Sequence, residues 1–500
     1  MTSNAIRRAH ASVTLTGTPR LMRVVIGVGL AVGLFGACAS TGGHTWQPAT
    51  AMDTRDEPAA LRPGFGNPTL HTWWPLTAPE VAAVGGLARA KQGDAHALLA
   101  LAILASADPR DDAGYARIQQ RVDQFVAELK PAMDAAPDDW HRGYELNRAM
   151  HRVFFRGERA ERAGRAELGG YQLGQSRLTA IFTGGQYNCL SSAMLYVVLA
   201  RAFDLPVRAA VVPTHVFVEL GKPGGKIVDV ETTSATGFDW VHDARFYADD
   251  AASWSSRRGL RPVTLDEYQH RSIVEPHRLM ALGMRNSHDG ESETDRARLI
   301  EVAALVDGDD VEAQRDRLRI YNNEAYGFEE AKSWRTMVRL FDTVSPTILE
   351  TRERFRDPQT LQLASWLYTY YAFALTVVGR DDEATAIMSD GLDHLDPGWD
   401  DAAKLRNNFL EVLNSRFGDL LSKKDYAGAA KLLVRYRDPC RTQQACASNG
   451  GAVYLNWSIE HQNAGDWRAA RQVLQECVAE LPDDARCTEA LKELESRHTF

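Results

Sequence analysis

The chain has 500 residues, which at ~100–200 residues per domain leaves room for more than one folded unit. It is 44% hydrophobic and 25% charged, a globular composition that excludes wholesale disorder, collagen and a multispan membrane protein. Acidic residues outnumber basic ones 66 to 57, for a net charge of −9, the wrong sign for a nucleic-acid binder.

Residues 1–37 carry Arg7, Arg8, Arg20 and Arg23 and neither lysine nor acid. An apolar run, Val24 to Ala37, follows and ends at Cys38. The run is shorter than the ~20 residues a transmembrane helix needs, and has the length of a signal-peptide core. Its end, Leu34-Phe35-Gly36-Ala37-Cys38, resembles the bacterial lipoprotein box, with Phe35 where that family usually has Leu. The resemblance implies cleavage before Cys38 and lipid on its sulfur. A plain signal peptide or a short anchor is the alternative, and Met22 is an alternative start. Residues 38–75, rich in Thr, Pro, Gly and Ala, read as a tether holding the folded part off a membrane. The expectation is a lipid-anchored protein of the cell envelope facing the periplasm. In that oxidising compartment paired cysteines form disulfides.

Residues 76–168 are Ala- and Leu-rich with helical spacing, as in Asp94-Ala-His-Ala-Leu-Leu-Ala-Leu-Ala-Ile-Leu104. Pro75, Pro109, Pro131 and Pro137 read as punctuation between helices. His141, Glu145 and His151 do not form a metal pattern.

Residues 169–246 change character. Cys189 to Phe203 reads as a helix stopping before Leu205-Pro206, and Val207–Val212, Val216–Leu220 and Lys226–Glu231 read as short strands. This is the one segment read as β structure, so the fold class is α+β. Residues 247–290 connect it to a helical block, residues 291–500. In that block Lys332-Ser-Trp334, Arg380-Asp-Asp382, Lys424-Asp-Tyr426 and Gly465-Asp-Trp467 each precede a helix. The recurrence looks like tetratricopeptide-type repeats, at intervals longer than that family's usual ~34 residues. Pro346, Pro397 and Pro482 fall where those helices are expected to end. Such repeats usually offer a groove to a peptide or protein partner, though a plain helical support is also open. Cys440 and Cys446, and Cys477 and Cys487, form two local pairs that read as disulfides, with zinc the weaker alternative.

Cys189 is the cysteine left over. It follows Thr183-Gly-Gly-Gln-Tyr-Asn188 and opens a helix, where partial positive charge and unpaired N–H groups favour a thiolate. Its own N–H is placed to donate to an oxyanion, and Gln186, Tyr187 or Asn188 could add a second donor. Ser191 and Ser192 read as packing or capping residues. His215, at a strand start, is the candidate base. If Gly221–Gly225 is a five-residue hairpin loop, Leu220 faces Lys226 and His215 stands opposite Glu231 on one sheet face. Asp229 shares that face opposite Phe217. Glu231 is the first candidate acid and Asp229 the second, because another loop length shifts the register.

A cysteine heading a helix, then His215-Val-Phe-Val-Glu219, then Val228-Asp-Val-Glu-Thr-Thr233, is similar to the transglutaminase-like superfamily. Its pattern is a Cys helix, His-Ala-Trp-Val-Glu and Val-x-Val-Asp-Pro-Thr. The resemblance implies a papain-like fold, with Cys189 as nucleophile, His215 as base and Glu231 as acid. Glu231 and Thr232 depart from the family's Asp-Pro. The stretches Tyr171-Gln-Leu-Gly-Gln-Ser176, Tyr196-Val-Val-Leu-Ala-Arg201, Leu205-Pro206-Val207 and Pro213-Thr-His215 also look like a bacterial branch of it. That branch joins the core to a helical N-terminal part and tetratricopeptide-like C-terminal repeats.

The expected function is cysteine-dependent acyl transfer on an envelope peptide or protein, resolved by water or by an amine, with no metal or cofactor. The rival is an inert core used as an envelope scaffold or binding protein. A third reading is a chaperone for exported partners, with the repeats as its working part.

Overall fold

The computed structural model describes residues 70–106, 112–155, 170–239, 263–286, 292–393, 402–436 and 444–500. The expected signal segment, Cys38, the tether before residue 70, Pro109, Pro397 and Cys440 lie outside the described residues, as does the side chain of Cys446.

The first block holds α1 (Ala78–Gly85), α2 (Leu87–Lys91), α3 (Ala95–Leu104), α4 (Asp112–Ala135) and α5 (Asp139–Val153). Asp94 caps α3 by accepting from the Ala97 N–H. From Ala97 to Leu104 the helix is apolar on every side because it is buried on nearly every side. Pro131 does not separate helices as expected but lies inside α4. The buried stripe Ile118, Val122, Phe125, Leu129 and Met133 runs past it, and that packing outweighs the lost N–H.

The middle block holds α6 (Leu178–Gly184), α7 (Cys189–Ala202), β1 (Val207–Val212), β2 (His215–Leu220), β3 (Val228–Val230), α8 (Leu265–Gln269), β4 (Ser272–Val274) and α9 (Pro276–Asn286). The strands form one antiparallel sheet in the order β3-β2-β1-β4. Val207, Ala209, Val211, Val216, Val218, Leu220, Val228 and Val230 share the core with α7. The opposite face, with Ala210, Val212 and Phe217, is covered by Tyr268 of α8. Strand β2 is therefore buried on both faces.

Two expectations need correction. The β2–β3 loop is longer than five residues, since Leu220 pairs with Val228 rather than Lys226. The shift is by two residues, so every side chain keeps its face. The fourth strand, β4, was not anticipated. Ser-Ile-Val is too short to show alternation, and only pairing with β1 makes it a strand.

The last block is helical: α10 (Glu293–Val306), α11 (Val311–Glu330), α12 (Trp334–Arg354), α13 (Pro358–Val378), α14 (Asp381–Asp393), α15 (Ala402–Ser422), α16 (Tyr426–Arg435), α17 (Gln444–Asn463), α18 (Trp467–Glu480) and α19 (Ala485–Arg497). The molecule is thus α+β, mostly helical, with a helical C-terminal part. The sequence self-similarity has a local cause. Lys332, Gly379, Lys424 and Gly465 adopt left-handed φ, and two residues later α12, α14, α16 and α18 begin. Asp425 and Asp466 cap their helices by accepting from Gly428 and Ala469 N–H groups. Pro346 does not end a helix; it lies within α12, whose stripe Met337, Phe341, Val344 and Ile348 is buried on both sides of it. Cys477 and Cys487 are disulfide-bonded across the α18–α19 turn, with Cα atoms 5.8 Å apart.

Candidate functional site

Helix α7 starts at Cys189 because Asn188 caps it. The Asn188 Oδ1 accepts from the Leu190 and Ser191 N–H groups, and Ser191 Oγ accepts from the Asn188 N–H. The Asn188 amide donates to Leu173 O and Ser176 Oγ, which ties the cap to the preceding loop. The thiol is thereby fixed in the first turn, where the helix end favours negative charge. Cys189 is 0% exposed and is not in a disulfide.

His215 opens β2 directly after the turn from β1. Val212 pairs with His215, so Pro213-Thr214 is the whole connection. Thr214 sits at φ 72°, a conformation that costs a β-branched residue about 1–3 kcal/mol. The tight turn fixes where the first side chain of β2 points. The His215 ring is stacked with Phe217, which in turn stacks on Tyr268 at 4.7 Å between centroids.

The His215 Nε2 lies 2.5 Å from Glu231 Oε2. The other carboxylate oxygen accepts from the Thr233 N–H at 3.0 Å and the Thr233 hydroxyl at 2.6 Å. The Cys189 thiol and the Glu231 carboxylate both act on the charge of the His215 ring. Burial opposes charge on the ring, but the Glu231 carboxylate with its hydrogen bond, and the neighbouring Cys189, outweigh it and push His215 up to about 10. Burial likewise opposes charge on Glu231, yet His215 and Thr233 hold its carboxyl below the ordinary value. The two shifts run in the same sense: each partner favours the charged form of the other.

The structure brings Cys189, His215 and Glu231 together and leaves Asp229 out. Asp229 lies opposite Glu219 and binds Tyr268 Oη at 2.9 Å and Arg271 at 3.0 Å. Arg271 also pairs with Glu219 at 2.7 Å and lies over the Phe217 and Tyr268 rings. Asp229 is thus part of a charge network on the outer sheet face.

Sequence reasoning missed what holds the acid. Gly143, Asn147 and His151 stand four residues apart on α5. A side chain at Gly143 would collide with Leu220, so glycine lets the helix close on the sheet. Asn147 Nδ2 then donates to Ser234 O, and His151 Nε2 donates to Thr232 O at 2.9 Å. Burial pushes His151 down to about 4, against the pulls of Thr232 and Glu231, so it is neutral at pH 7. Ser192 reaches the Thr232 hydroxyl at 2.8 Å, a contact beyond simple packing, while Ser191 caps as expected. The i, i+4, i+8 spacing on α5 was the available signal. Of the suggested extra oxyanion donors, Asn188 is consumed by the cap, and the Tyr187 hydroxyl donates to Thr233 O. Gln186 stays half-buried beside Gln175.

A shallow recess of about 10 Å³, room for about one water, reaches His215, lined by Leu190, Val212, Thr214, Val216, Leu282 and Asn286. Among the described residues no group of three or more His, Cys, Asp or Glu side chains is placed to hold a metal ion. No described helix is long and apolar enough to cross a membrane.

No protein-family model matches the chain. No curated protein matches it either. Among solved structures it is similar to menin, whose crystal structure is described as revealing the binding site for the Mixed Lineage Leukemia (MLL) protein. The two are 14% identical over 83% of this chain and 91% of that one, with a TM-score of 0.32. At that score the likeness is no guide to fold or function.

Proposed function

We propose that the chain is a lipid-anchored cysteine acyl-transfer enzyme with a transglutaminase-like core, acting on an envelope peptide or protein. The observation that carries this reading is the buried His215–Glu231 pair, with Cys189 at the start of α7 acting on the charge of the same ring. An imidazolium beside a thiol at a helix start favours the thiolate. The thiolate adds to an amide or ester carbonyl carbon, and the oxygen's developing charge faces the Cys189 N–H. The His215 proton passes to the leaving amine or alcohol as its bond to the carbonyl carbon breaks. The thioester then yields to water, which gives an acid, or to an amine, which gives a new amide. His215 takes the incoming nucleophile's proton, and Glu231 holds the ring in register. The apolar recess beside Leu190 and Leu282 is the proposed approach, and its walls must part, because Cys189 is fully covered.

The Cys477–Cys487 disulfide supports an oxidising compartment. The tetratricopeptide-type reading of the helical part, and a protein partner held by it, belong to the same proposal. A second reading, an inert core in a scaffold or binding protein, draws on the 0% exposure of Cys189.

Intact-mass analysis after incubation with a small activated acyl ester tests the enzyme reading. One acyl group on the wild type and none on Cys189→Ala is expected. Hydroxylamine and water arms then separate amine from water as acceptor. No adduct at Cys189 at any pH between 5 and 9 overturns the reading in favour of the scaffold.

A further inference from the structure

The segment before α1 is held by the C-terminal block in an unusual way. Trp73 and Trp74 are 3% and 5% exposed, although they lie in no helix and in no strand of the sheet. Their main-chain N–H groups both donate to one buried carboxylate, Glu301 of α10, at 2.9 and 3.2 Å. Arg317 of α11 donates to His71 O at 3.0 Å and Leu70 O at 3.4 Å, and Thr347 of α12 reaches His71 O. The Trp73 side chain hydrogen-bonds to Glu324 of α11. Its ring meets Phe328 edge-on at 6.0 Å, and the Trp74 ring stacks on Tyr321 at 6.2 Å. Tyr321 in turn donates to Glu301.

This is recognition of main chain by side chains. In a core element, backbone groups are satisfied by backbone ladders. Here a bent, irregular stretch of chain, with His71 at φ 50°, has its N–H and C=O groups read by a carboxylate, a guanidinium and a hydroxyl, with two buried aromatic anchors, as peptide-binding sites do. Burying carboxylates for this is costly. Burial pushes Glu301 up to about 7 against Arg317, Tyr321 and the two N–H groups, and pushes Glu324 up to about 7 against Trp73.

We infer that the notch between α10, α11 and α12 is a binding site for a short bent peptide bearing two adjacent tryptophans, and that the chain's own His71–Trp74 segment is its resident ligand. The site is separate from Cys189 and stands whether or not the core is catalytic.

The full chain carrying Trp73→Ala and Trp74→Ala is titrated with a synthetic peptide of residues 69–77, with circular dichroism checking its fold. Binding to the variant, at least tenfold weaker binding to the wild type, and none by the peptide lacking both indoles are expected. A folded variant that ignores the peptide overturns the inference. A second measurement needs no variant: hydrogen exchange of the wild type at residues 70–76. A resident ligand undocks by itself, so these amides exchange at least tenfold faster than those of α11. Exchange only together with α11 makes the segment an ordinary core element and overturns the inference.

Discussion

Glu231 meets His215 at 2.5 Å from just beyond the end of β3, not as its partner across the strands. The acid belongs to a turn, and the turn is gripped by α5 and α7 through Thr232 and Ser234. Glu231→Gln keeps the shape and the Thr233 bonds but removes the charge that holds His215 protonated. Alkylation of Cys189 by iodoacetamide at pH 6 is expected to slow by roughly 10²–10⁴-fold, the usual worth of such a pair. Asp229→Asn is expected to leave that rate within a few-fold. It lowers stability instead, near the low end of ~3–5 kcal/mol for breaking a buried charge network, because Glu219 still holds Arg271. Urea melts of both variants check the split.

The pair also sets a pH window. The lowered carboxyl of Glu231 contributes stability that is present above its ordinary 4.5 and lost as pH falls through its folded value. The raised His215 contributes stability that is full below 6.5 and lost as pH rises toward about 10. Both contributions are complete between pH 4.5 and 6.5. His151 works the other way on the acid side: held neutral, it favours folding above 6.5 and loses that as pH falls to about 4. Urea midpoints of His151→Gln across pH 4–7 are expected to fall less steeply on the acid side than the wild type's. An unchanged slope contradicts the assignment.

Much of the site was legible in the sequence, and the reasons are local. The helix start at Cys189 and the strand start at His215 were read from the sequence, while the Asn188 cap and the two-residue Pro213-Thr214 turn emerged only in the structure. Glu231 was found by an argument whose register was two residues off, and it survived because a shift of two keeps side chains on the same face. Asp229 shared that face, so only its distance to Arg271 and Tyr268 could remove it. The spacing of Gly143, Asn147 and His151 marked a face of α5, but nothing local says that this face meets Thr232 and Ser234. Pro131 and Pro346 misled for the opposite reason: a local breaker was overruled by a buried stripe. The Trp73–Glu301 contact spans 228 residues and left no local sign.

The strap predicts its own pH dependence. Glu301 faces Arg317 and Tyr321 from α11 and the Trp73 and Trp74 N–H groups, and its carboxyl is raised to about 7. A raised carboxyl contributes most when protonated, so the docked strap loses stability as pH rises from 4.5 through about 7. Proteolysis within residues 70–76 is expected to be faster at pH 8 than at pH 6 once normalised to a control peptide. Glu301→Gln, which cannot ionise, is expected to abolish most of that difference.

The Cys477–Cys487 link closes a short loop between α18 and α19. Its removal by reductant, or as Cys477→Ala with Cys487→Ala, is expected to cost about 2–3 kcal/mol. The loss is confined to the last helices, and Cys189 alkylation stays unchanged. Hydrogen exchange across α17–α19 checks the first part and labelling the second.

The central claim is that Cys189 is a thiolate held by His215. The direct measurement is thiolate absorbance near 240 nm, taken as the difference between wild type and Cys189→Ser while pH is raised from 4 to 9; it requires no access to the buried sulfur. The account predicts one thiolate already present at pH 6 in the wild type and absent at that pH in His215→Ala. A wild-type signal that emerges only near the ~8.5 of an ordinary thiol contradicts it.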